Sequence, residues 1–107
     1  MRKLSLIAGL MLAVTAQAAT VLTGDRINGV DVISELDVQD LAPGKTYRFY
    51  FQGAADGIGQ VQYVPVVVHK GAKDGKKLLL NSGNHGDEVT GIRAVQVAMS
   101  RIDPNRM

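Results

Sequence analysis

A chain of 107 residues without cysteine builds a thin core and has no disulfide to reinforce it. Its formal charge is +2, from 12 Lys and Arg against 10 Asp and Glu, and Arg2 and Lys3 at the N-terminus supply two of the positive charges. The remainder is near neutral, and its aromatics do not interleave with basic residues, which argues against a general nucleic-acid binder.

Taken in chain order, residues 1–18 read as a secretory leader. Arg2 and Lys3 precede an apolar run from Leu4 to Val14, too short for a stable membrane span, and Ala16-Gln17-Ala18 fits the small-x-small cleavage pattern. The expected product is periplasmic or secreted, with no stable membrane anchor once the leader is removed. Residues 19–59 read as a β-rich segment. Within it, Gly29 to Val38 is a weak strand or two short ones, and Ala42-Pro43-Gly44-Lys45 is a turn. From Lys45 to Phe51, Tyr47, Phe49 and Phe51 share one face, the alternation of a half-buried strand. Gly53 to Gln60 reads as a loop.

Residues 60–107 read as the start of a second region. Val61 to Lys70 is a strand, and Pro65 inside it points to an edge position or a bulge, because proline has no N–H for the ladder. Gly71 to Gly75 is a turn. Leu78-Leu79-Leu80 reads as a short strand buried on both faces. A helix is expected from about Glu88 to Ile102, with Ile92, Val95, Met99 and Ile102 on its apolar stripe and Arg93 and Ser100 facing away. Asp103-Pro104 ends it.

The chemistry-bearing residues lie where the leucine run gives way to the helix, in "LLLNSGNHGDEVTGIRAV", residues 78–95. Counting back four from Ile92 puts Glu88 on the apolar stripe, where an unpaired carboxylate is costly. His85, three residues earlier, lies on the same side and can converge with it on one point. An imidazole nitrogen and a carboxylate oxygen suit zinc. Gly83 and Gly86 let the backbone turn there, and the carboxyl end of a strand is where open α/β sheets bind ligands. Asp87 reads as the helix cap, with Asn84 as another candidate. His69 reads as a structural or surface histidine.

This run resembles the zinc-site segment of the succinylglutamate desuccinylase/aspartoacylase family, within the zinc carboxypeptidase-like hydrolases. The family motif, G-x-H-G-[D/N]-E followed by a glycine and a helix, is matched by Gly83, His85, Gly86, Asp87, Glu88 and Gly91. Upstream, "YVPVVVHKGAKDGKKLLL" resembles the strand, turn and strand that precede the motif in bacterial members. The likeness is good over about residues 60–103 and loose over 20–59.

The resemblance implies an N-terminal part of a three-layer α/β/α sandwich with a mixed sheet, incomplete in this chain. It also implies Zn2+ as cofactor, with His85 and Glu88 as metal ligands. The family's third ligand, a histidine, and its catalytic glutamate lie downstream of the motif, so no catalytic residue is expected within these 107 residues. Asn105-Arg106 looks like the family's substrate-binding Asn-Arg pair but follows the helix too closely, and Arg93 matches no substrate position. The implied activity is hydrolysis of an amide bond in an N-acyl amino acid or small peptide, with the chain alone inactive. The competing reading is a non-catalytic exported domain in which hydrogen bonds hold Glu88 and His85 is incidental. If the leader is processed as its pattern predicts, N-terminal sequencing of the periplasmic product will read from Ala19; an intact Met1 on a cytoplasmic product would overturn the export assignment.

Overall fold

The structure is a computed structural model that describes Gly9 and residues 18–107. The leader expected over residues 1–18 lies outside the described residues, apart from Gly9 and Ala18. Among the described residues, no helix is long and apolar enough to cross a membrane.

The fold is a four-stranded mixed sheet followed by one helix. The strands are β1 (Val21–Ile27), β2 (Val30–Glu35), β3 (Lys45–Ala55) and β4 (Val61–Lys70), in the spatial order β1-β2-β3-β4. The helix α1 spans Val89–Ser100, and a short 3-10 turn follows at Pro104–Arg106.

β1 and β2 form an antiparallel hairpin that closes at the pair Ile27 and Val30. Its two loop residues both have positive φ, 50° at Asn28 and 81° at Gly29. That is the turn whose twist matches paired strands, and Asn-Gly is its preferred sequence. Arg26 reaches across the strands to Asp31 at 2.9 Å and donates to the Gly29 carbonyl at 2.6 Å. The ladder is interrupted between Leu22 and Arg26. There the Thr23 hydroxyl donates to the Val32 carbonyl at 3.2 Å and accepts from the Asp25 amide at 3.2 Å, so the break is bridged by a side chain.

β1 carries no strand signal in the sequence, because Thr23-Gly24-Asp25 breaks its apolar alternation. The Asn28-Gly29 pair was the local signal that could have found the hairpin. The weak strand expected between Gly29 and Val38 is a single strand, Val30–Glu35.

β2 pairs with the middle of β3 in parallel, Val32 opposite Tyr50 and Ile33 opposite Phe51. The connection, residues 36–44, must therefore return along the sheet, and it is held on the way. Leu41 is buried, and Lys70 donates to the Val38 carbonyl at 2.7 Å. Thr20 ties it further: its amide donates to Asp40 at 2.7 Å, and its hydroxyl accepts from the Asp37 amide at 3.1 Å. Val32 and Ile33 are both fully buried. Successive side chains of a strand point to opposite faces, so both faces of the sheet are covered at β2.

β3 and β4 form the long antiparallel pair, running from Lys45 opposite Lys70 to Ala55 opposite Val61. β3 continues into Gly53–Ala55, which reads as loop in the sequence, because β4 supplies a partner that far, past a break in register after Gln52. The loop proper is organised by Asp56, whose carboxylate accepts from the amides of Ile58 at 3.0 Å and Gln60 at 2.9 Å. Tyr47 and Phe49 stack with ring centroids 6.2 Å apart on the face their alternation predicts. Pro65 lies in the edge strand β4 opposite Tyr50, where its missing N–H can face away from the ladder.

Leu78-Leu80 corrects the expectation from sequence. It is not a strand, and Leu78 and Leu79 are 82% and 87% exposed. Three leucines supply an apolar run, but a strand exists only through its ladder, and no described segment pairs with them. The helix agrees with expectation to within a residue or two at each end. Its stripe residues Val95, Met99 and Ile102 are half-buried, Ile92 is exposed, and no residue of the helix is fully buried.

The φ of Gly29 makes a direct prediction. Gly29→Ala should destabilise the chain by ~1–2 kcal/mol in urea unfolding, the cost of a left-handed conformation with a side chain. Gly57→Ala, where φ is ordinary and an added Cβ meets no atom within 4 Å, should be nearly silent.

Candidate metal centre

Residues 82–92 form a tight loop that enters α1. Gly83 has a φ of 74°, and a Cβ there would lie 2.8 Å from both Cγ1 and Cδ1 of Ile92. Gly91 faces the same loop from the helix, and a Cβ on it would meet the Ser82 hydroxyl at 2.8 Å. The two glycines therefore let the loop and the first helical turn pack against each other. Gly86 has no such role: its φ is not positive and an added Cβ meets nothing within 4 Å. The sharp bend expected there is made instead by a turn in which the Glu88 amide donates to the His85 carbonyl at 3.2 Å.

That turn brings the two expected ligands together. Nδ1 of His85 lies 2.8 Å from Oε1 of Glu88, and the other carboxylate oxygen accepts from the His85 amide at 3.4 Å. A carboxylate can only accept, so Nδ1 carries the proton of this bond. The pair is open to solvent, with side chains 77% and 47% exposed. The apolar position expected for Glu88 thus becomes a half-exposed one at the helix boundary, which removes much of the cost of its charge.

The helix start departs from expectation. Glu88, not Asp87, is the N-cap residue, with φ −86° and ψ 48°, and no side chain caps the first turn. Glu88 is drawn back to His85 instead, and Asp87 is left exposed in the turn.

Two donors to one tetrahedral zinc, each about 2.0–2.1 Å from the metal, stand roughly 3.3 Å apart. Nδ1 and Oε1 approach within 2.8 Å, so small side-chain rotations reach that spacing, and one imidazole with one carboxylate is a donor set that zinc accepts. The residues present fit half of such a shell. Among the described residues no cluster of three or more His, Cys, Asp or Glu is formed.

His69 does not join the pair. Its Nδ1 is 2.8 Å from the Thr46 hydroxyl and its Nε2 is 2.8 Å from the Met99 carbonyl, the structural role expected of it. Asn105 and Arg106 lie in the short 3-10 turn, where the Asp103 carboxylate accepts from the Asn105 amide at 3.0 Å. Arg93 is exposed on the helix. Ser82, which carried no signal in the sequence, emerges as the loop's contact to Gly91.

Substitutions at the two packed glycines should separate. Gly83→Ala should cost at least the ~1–2 kcal/mol of a left-handed φ and displace Ile92. Gly91→Ala gains roughly 1 kcal/mol of helix propensity against a contact that rotation of Ser82 can relieve. Urea unfolding should therefore show Gly83→Ala clearly destabilised, Gly91→Ala near the parent, and Ser82→Ala with Gly91→Ala above Gly91→Ala alone.

Compared with protein-family models, curated proteins and solved structures, the chain matches none of them.

Proposed function

We propose that this chain contributes His85 and Glu88 to the zinc site of an exported amidohydrolase acting on N-acyl amino acids or small peptides. The observation that carries the reading is the 2.8 Å approach of the His85 Nδ1 to the Glu88 carboxylate. It is held at the mouth of a loop whose Gly83 and Gly91 leave no room for a side chain without displacement. The motif resemblance supplies the reaction class. In this proposal the mixed sheet and helix belong to a three-layer α/β/α sandwich.

Zinc, when bound, supplies a Lewis acid for the scissile carbonyl and acidifies water. The chain's own contribution is to present the donors. The turn from His85 to Glu88 fixes their separation, and the contact between Gly83 and Ile92 sets the loop on the helix. Glu88 also holds the imidazole through its Nδ1 proton; coordination through Nδ1 would require that proton to sit on Nε2 instead, and metal binding would weaken in acid, where both donors are protonated. The third ligand and the glutamate that moves protons come from outside the described residues. Two ligands alone hold zinc weakly, so residues 19–107 by themselves should show no hydrolysis and only weak zinc binding in competition with a chelating dye.

In the protein that carries this chain, His85→Ala and Glu88→Ala should each lower zinc affinity by more than the ~10–100-fold that loss of a ligand's supporting partner costs, with activity falling in parallel. Asp87→Asn should stay close to the parent, since Asp87 neither caps the helix nor meets the pair. Elemental analysis decides the reading: stoichiometric zinc in the His85→Ala/Glu88→Ala double variant would sink it.

A further inference from the structure

His69 lies at the end of β4, well separated in sequence from the His85–Glu88 pair, yet it reaches the helix that carries Glu88. A carbonyl oxygen only accepts, so the His69 Nε2 carries a proton and donates it to Met99 at 2.8 Å. In the neutral ring, Nδ1 then accepts from the Thr46 hydroxyl, also at 2.8 Å. The ring links β3, β4 and the last turn of α1 through both nitrogens.

The place of this bond matters. The last carbonyls of a helix have no partner within it, and the Arg101 and Ile102 amides only partly occupy the end of α1. A helix of 12 residues is marginal on its own in water, and α1 buries none of its residues fully. Its order rests on a few attachments: the half-buried stripe, the contact of Ile92 with Gly83, and two backbone bonds that pin the chain just after it, Ala72 to Pro104 at 2.9 Å and Lys73 to Met107 at 3.0 Å. Among the described residues, His69 is the side chain that fastens the helix itself to the sheet by a hydrogen bond.

We infer that His69 is a positioning residue for the His85–Glu88 pair: by holding the carboxyl end of α1 on the sheet it keeps the first turn formed, and with it the geometry of Glu88. The link to metal binding rests on the function proposed above; the fastening of the helix does not.

The test uses His69→Asn and His69→Gln in the full chain. Glutamine extends an N–H to about the Nε2 position, whereas asparagine reaches only the Nδ1 position. Three readouts are taken: ring 15N shifts of His69 in the parent, amide exchange at Ile92, whose N–H bonds to Glu88 at the first turn, and zinc affinity by dye competition. The parent ring should show a protonated Nε2 and an unprotonated Nδ1. His69→Asn should speed exchange at Ile92 and weaken zinc binding, each by roughly 3- to 10-fold, the factor that one net hydrogen bond is worth, and His69→Gln should restore most of both. Exchange at Ile92 unchanged in His69→Asn, or a protonated Nδ1 with a bare Nε2, would overturn the inference. Zinc affinity unchanged in His69→Asn while exchange at Ile92 rises would overturn the positioning of the pair and leave His69 as the helix's fastening alone.

Discussion

The architecture depends on β3 pairing on both sides. One edge takes β2 in parallel and the other takes β4 antiparallel, and these two pairings impose the rest. The parallel one obliges residues 36–44 to travel back along the sheet, which is why Leu41, Val38 and the turn around Asp37 and Asp40 are tied down by burial and side-chain bonds. The antiparallel one carries the chain to His69 and Lys70, where the attachments to the helix and to the β2–β3 connection begin. With Val32, Ile33, Leu41 and Pro104 as the buried residues among those described, backbone ladders and polar ties hold much of what a larger core would hold by packing.

Layered on that frame, the helix and the candidate metal pair form a lightly held unit. Two polar devices sit at its opposite ends. At the amino end, the turn from His85 to Glu88 joins an imidazole to a carboxylate in solvent. At the carboxyl end, a second imidazole joins the helix to the sheet. Both histidines of the chain thus bear on the helix, one through its bond to Glu88 and one through its bond to Met99.

How much of this was legible in the sequence varies with the physics involved. The aromatic alternation of β3, the Val-rich run of β4 and the helical stripe are local patterns, and each marks an element within a few residues of its observed place. The approach of His85 to Glu88 was legible for the same reason, because three residues of turn or helix span it. What sequence could not supply was pairing. β1 exists through a register that a side-chain-bridged break interrupts, and Leu78-Leu80 fails as a strand for lack of a ladder although it is wholly apolar. The helix cap was misassigned because Asp87 is a good capping residue by type, whereas Glu88 at the boundary is drawn back to His85. The packing of Gly83 on Ile92 was invisible as well: the motif marks the glycines but not the atoms they make room for.

The exposed leucines carry one more consequence. Residues 71–88 connect the last strand to the helix with no ladder of their own, and Leu78 and Leu79 stand almost bare within them. Extended, unpaired chain is what a protease active site accepts, so the preferred point of nicking lies between sheet and helix. Such a cut would leave the helix with three points of attachment to the sheet side of the gap: the bond from His69 to Met99 and the two backbone bonds from Ala72 and Lys73.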